Sequence, residues 1–202
     1  MSPGATFERV YHALKDQVLS GAFPPGTQLE PAALSVDLVA SITPVRDALH
    51  RLVGERLVHT PRGDGFRMPI YTEAALRDLY GWNLRLLQLA LGPRRAAARE
   101  LLQISGHAGP KDLIGATARL FEDITRLSGS GEHLAAVSAM NYRLEAVRRK
   151  EAVLGATDTE LDEIKAALAS GDHSLLRHLV GAYHRRRISG VPLLLELLQP
   201  SF

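Results

Sequence analysis

Apolar residues recur at helical spacing through TFERVYHALKDQVLSG, where Phe7, Val10, Tyr11, Leu14, Val18 and Leu19 share one stripe. Thr6 is placed to cap this first helix and Gly21 to stop it. AFPPGTQL follows as a turn, and EPAALSVDLV starts a second helix at Pro31, with Leu34 and Leu38 on its inner face. ASIT breaks that helix. In TPVRDALHRLVGERL the apolar positions Val45, Ala48, Leu49, Leu52 and Val53 predict a third, amphipathic helix with Thr43 as N-cap. LVHT and FRM flank PRGDG, which predicts a β-hairpin. From Thr72 onward the period is helical throughout, in six runs: 72–92, 93–105, 113–131, 132–155, 157–172 and 173–198, the last interrupted near Gly190 and Pro192.

Helix, helix, short turn, helix and hairpin is the order of a winged helix-turn-helix. The expected fold is mainly α: a winged helix-turn-helix with a small β-hairpin over 1–70, then an all-α bundle over 71–202. In such a unit the third helix offers its exposed face to the major groove. Thr43, Arg46, His50 and Arg51 occupy that face, with Asp47 between them. Arginine pairs bidentately with guanine or phosphate, and Arg62, Gly63 and Gly65 at the wing tip suit close approach to a groove. The charge balance is neutral, however. Residues 1–70 carry seven Lys/Arg and seven Asp/Glu, so the residue pattern alone also fits a merely solvated helix face.

Composition narrows the remaining classes. The whole chain has a formal net charge of +2, too little to argue for a polyanion partner by itself. It contains no Cys, which excludes disulfides and thiolate chemistry. No apolar run reaches membrane-spanning length, and no basic stretch followed by an apolar core opens the chain, so a cytoplasmic protein is expected. No nucleophile–base pair, phosphate-binding glycine loop or H-E-x-x-H motif is present, and no enzymatic activity is expected.

The stretch from Val10 to Phe66 resembles the N-terminal domain of the GntR family of bacterial transcription regulators, through SGAFPPGTQL, TPVRDAL, LVGERLV and RGDGF. The resemblance implies that Arg46 contacts a double-stranded DNA operator, with Thr43 and the wing around Arg62–Gly65 assisting. Two positions depart from the family: Val39 stands where a Gly is usual, and Ile42 where a basic residue is usual. The helical half, with IKAALASGDHSLLRHLVGAYH near its end, resembles the FadR-like branch. That branch implies a homodimer on a palindromic operator and a bundle that senses a small carboxylate. Many of its members hold a metal with one Asp and three His; here those positions fall on Ser138, Tyr142, Leu161 and Tyr183, with His184 adjacent, so no metal is expected. Arg85, Tyr142, Tyr183 and His184 are the candidate effector residues. The alternative is a helical half that only dimerises or binds a protein partner.

Overall fold

In the computed structural model, residues 3–63, 65–92, 112–155 and 157–198 are described. The sequence run expected as a helix over 93–105 lies outside them. The chain divides into two compact units, the first built on Met1–Tyr71 with Leu197–Phe202, the second on Thr72–Glu196.

The first unit contains α1 (Pro3–Ser20), α2 (Pro31–Asp37) and α3 (Ile42–Gly54). Its core joins Val10, Leu14 and Val18 of α1 to Leu34 and Leu38 and to Val45, Leu49 and Leu52 of α3, with Phe66 and Met68 closing it from the wing. Each helix supplies its period-3.6 stripe, as the apolar spacing requires. α1 begins at Pro3, before Thr6. α3 begins at Ile42 with Ser41 at the N-cap, so Thr43 lies inside the first turn and is not the cap.

The hairpin is reduced to isolated bridges among the described residues. Arg67 pairs with His59 on one side and Gln28 on the other. Reciprocal backbone bonds of 2.8 Å join His59 and Arg67, and Leu29 N donates to Phe66 O at 2.8 Å. Pro61–Gly63 form a 3-10 turn. Proline lacks an N–H and has a fixed φ, so the segment that would extend the ladder curls instead.

The second unit contains α4 (Glu73–Ala90), α5 (Leu113–Arg126), α6 (Gly131–Arg148), α7 (Thr157–Ser170), α8 (His173–Ser189) and most of α9 (Val191–Leu198). α4 packs against α5, α6 and α8; α5 also meets α6 and α7, and α7 lies along α8. Thr72, Asp112, Ser130 and Asp172 cap α4, α5, α6 and α8 by accepting backbone N–H bonds through their side chains. Among the described residues no helix is long and apolar enough to cross a membrane.

Candidate nucleic-acid interface and ligand cavity

α3 buries Val45, Ala48, Leu49 and Leu52 and leaves Thr43, Arg46, Asp47 and His50 exposed. The exposed set is one continuous face, open from the first turn. His50 meets the wing: its ring stands edge-on to Phe66, with centroids 4.9 Å apart. Gly63 and Gly65 have φ of +81° and +69°, and a Cβ at either would meet nothing within 4 Å. They turn the wing tip in a backbone region that L side chains avoid. The side chain of Arg62 lies outside the described residues.

Arg51 is differently employed. Its guanidinium stands 3.8 Å from the Tyr11 ring centroid and pairs with Glu8 at 3.2 Å and Glu55 at 3.7 Å. Glu55 also takes Lys15 at 2.8 Å and the Tyr11 hydroxyl at 2.5 Å. Arg51 thus ties α3 to α1 through Nη1 and Nε, while its side chain stays 45% exposed on the wet face of α3.

The link between α2 and α3 carries a second clamp. Arg9 donates to Leu38 O at 3.0 Å and Val39 O at 3.1 Å, satisfying carbonyls at the C-terminus of α2. Val39 has φ +47°, a left-handed conformation that a β-branched residue adopts only under strain. Arg56, just past α3, has φ +60°, which fits its place where a helix ends in the left-handed region. Val36, Val39 and Ile42 are exposed at 76%, 84% and 45%, an apolar ridge leading into the face of α3.

In the helical unit, Arg85 is exposed and does not enter the interior, contrary to its expected role toward an effector. Tyr183 and His184 are buried but already committed. The Tyr183 hydroxyl donates to Glu151 Oε2 at 2.8 Å, Tyr80 to Glu151 Oε1 at 2.7 Å, and Arg187 Nε to Oε2 at 3.0 Å. Arg187 also pairs with Glu160 and lies 3.5 Å from the Tyr183 ring centroid. Burial and the Glu151 charge both raise the Tyr80 and Tyr183 hydroxyls above the usual range, so they stay protonated donors. Burial disfavours the charge on Arg187, but Tyr183, Glu151 and Glu160 outweigh it and the net shift is upward.

His184 Nδ1 lies 2.7 Å from Val180 O, and Nε2 lies 3.1 Å from Asn83 Nδ2. A carbonyl only accepts, so Nδ1 carries the proton and Nε2 accepts from Asn83. Burial pushes the imidazole pKa down to about 3; the bond to Val180 opposes this, and the charges of Arg148 and Arg187 reinforce it. His133 is half-buried and places Nε2 2.6 Å from Leu86 O. Ser138, Tyr142, Leu161 and Tyr183 do not fit a metal: Leu161 and Tyr183 are core residues, and Ser138 donates to Glu122 at 2.9 Å. Among the described residues no group of three or more His, Asp or Glu could hold an ion.

Two cavities flank α6. One, of about 190 Å³, is lined by residues including Leu113, Ile114, Thr117 and Arg148. The other, of about 350 Å³, is lined by residues including Ala118, Ser138, Asn141, Tyr142 and Arg148. Of the four candidate effector residues only Tyr142 lines either one. Arg148, common to both, is the residue the sequence reading missed. The signal for it was its spacing, seven residues after Asn141 on the inner face of α6.

Residues 6–68 match the family described as "Bacterial regulatory proteins, gntR family". The chain is 33% identical over 70 residues to the HTH-type transcriptional repressor GlaR of Escherichia coli (strain K12), covering 35% of this chain and 32% of that one. It is 31% identical over 98 residues to the HTH-type transcriptional regulator McbR of the same strain, covering 48% and 44%. These matches span less than half the length of either relative. The solved structure of E. coli McbR/YncC aligns over 93% of this chain and 97% of its own with a TM-score of 0.63 at 20% identity. A structural-genomics GntR structure from Rhodococcus sp. RHA1 aligns over 93% and 98% with a TM-score of 0.69 at 20% identity. Residues 6–68 of the chain are therefore similar to the gntR family of bacterial regulatory proteins, and the chain shares its fold with the solved McbR/YncC and Rhodococcus GntR structures.

Proposed function

We propose that the protein is a transcription regulator that binds a palindromic operator as a homodimer and senses a small carboxylate through its helical unit. The observation that carries the DNA-binding part is the face of α3. Thr43, Arg46, Asp47 and His50 are all exposed there, while the opposite face packs the core. Arg46 is the residue proposed to pair with a base edge; Thr43, His50 and the wing at Arg62, Gly63 and Gly65 assist. A palindrome follows from two copies of this unit related by a two-fold axis. Trp82 and Leu89, exposed at 46% and 68%, lie seven apart on α4 and support self-association. The cavities beside α6 support a sensor over a helical unit that only dimerises. The test is operator selection with the purified protein followed by mobility-shift titration. Arg46→Ala is expected to weaken binding to the selected site by about 1–3 kcal/mol. Unchanged affinity would remove Arg46 from the interface.

A further inference from the structure

Arg148 ends α6 and is 5% exposed. Its Nη1 donates to Asn141 Oδ1 at 3.0 Å, and Asn141 is held in that orientation by its own Nδ2, which donates to Ala118 O at 3.1 Å. The guanidinium carbon lies 5.2 Å from the Phe121 ring centroid. Nε and Nη2 are buried and have no hydrogen-bond partner. These two nitrogens form one edge of the guanidinium, and their N–H groups point in parallel. That edge matches the two oxygens of a carboxylate. Leaving two charged donors buried and unpaired is unfavourable, and an arriving anion would relieve it.

The acidic groups around the cavities do not fill this edge. Both oxygens of Glu151 are taken by Tyr80, Tyr183 and Arg187. Glu145 pairs with Arg149 at 2.9 Å, Glu122 accepts from Ser138, and Asp112 caps α5. From this geometry we infer that Arg148 anchors the carboxylate of a small ligand, held side-on by Nε and Nη2. The inference rests on reading the helical unit as a sensor and names the residue that holds the sensor's ligand. Asp112, Glu122 and Glu145 line the cavities together with Arg119, Arg148 and Arg149, so the lining charges balance and the unpaired Arg148 edge is the fixed contact for the anion. Leu113, Ile114 and Ala118 offer apolar walls to a short carbon body. The guanidinium does here what a metal would do elsewhere: it is a fixed cation presented to a carboxylate.

The full chain is titrated calorimetrically with acetate, propionate, butyrate, pyruvate, succinate and benzoate, and with propionamide. At least one carboxylate is expected to bind, with propionamide, which brings no charge to the guanidinium, weaker. Arg148→Lys keeps the charge but removes the paired edge and is expected to lower affinity roughly ten- to a hundred-fold. In wild type, the Arg148 Nε–H resonance in a nitrogen–proton correlation spectrum is expected to shift on binding, a readout that does not depend on the variant's folding. Binding of none of the carboxylates, equal binding of propionamide, or an unmoved Arg148 resonance would each overturn the inference. Carboxylate binding through Arg148 that leaves operator affinity unchanged would keep the site and remove the sensor. An operator response to a metabolite that does not shift Arg148 would keep the sensor and remove the site.

Discussion

The buried His184 makes the helical unit acid-labile by a predictable amount. In the fold its pKa is about 3, whereas an unperturbed imidazole titrates near 6.5. Between those values the unfolded chain binds one proton more than the folded one, so stability falls as pH falls. This contribution is complete above pH 6.5 and is lost progressively down to about pH 3. The slope is about 1.4 kcal/mol per pH unit for one proton, so lowering the pH from 7 to 4.5 removes about 3 kcal/mol through this residue. Carboxylates titrate over part of the same range, and His184→Gln isolates the imidazole. The variant loses stability at pH 7, because Gln cannot reproduce both ring hydrogen bonds, but it lacks the proton-linked loss. Urea unfolding can be followed through Trp82, the single tryptophan, which lies in the helical unit next to Asn83. It therefore reports that unit even if the two units unfold separately. The stability gap between wild type and His184→Gln should shrink by about 3 kcal/mol from pH 7 to 4.5. A gap that stays constant with pH would refute both the neutral tautomer and the burial that imposes it.

Arg187→Met leaves the Glu151 carboxylate in the core with only tyrosine donors, and should destabilise the helical unit by about 3–5 kcal/mol in the same urea assay. A loss below about 1 kcal/mol would mean that the pair is solvated. Val39→Gly removes a β-branched side chain from φ +47°, so hydrogen exchange of α2 and α3 amides should slow or stay unchanged, the reverse of the usual effect of glycine. Faster exchange would contradict the strain assigned to Val39. Ile42→Arg adds a cation at the first position of α3, and should steepen the salt dependence of operator binding by about 0.9 in log–log slope. An unchanged slope would place Ile42 away from the phosphates.

The amphipathic stripes of α1, α3 and α4 could be read from the chain because every third or fourth residue reports the same face, and burial follows that face directly. The hairpin is shorter than the alternation around PRGDG suggests, because alternation cannot reveal that Pro61–Gly63 close into a 3-10 turn. The charged residues of the helical unit were harder to place. Arg187 sits in HRRR, which looks like a solvated end of a helix. Its burial depends on Glu151, 36 residues away in sequence, and no local period encodes that pairing. Arg148 is similar: VRRK looks exposed, and Arg149 and Lys150 are, yet the first arginine of that cluster turns inward beside Phe121. Arg51 shares the wet face of α3, and its pairing with Glu8 and Tyr11 is not encoded in the local period because they lie on another helix. Arg46 has no such intramolecular partner among the described residues, so its exposure on α3 agrees with its place in the sequence pattern.

The division of labour on α3 bears on how such a protein can change over generations. The positions that hold the helix in place are the apolar stripe, Arg51 and Glu55. The side chains of Thr43, Arg46 and Asp47 make no hydrogen bond or ion pair among the described residues, and substitution there leaves the scaffold's side-chain contacts intact. If these positions read the target, as proposed, recognition is uncoupled from folding. Gene duplicates could then drift toward new target sequences through these three positions without first passing through an unstable intermediate.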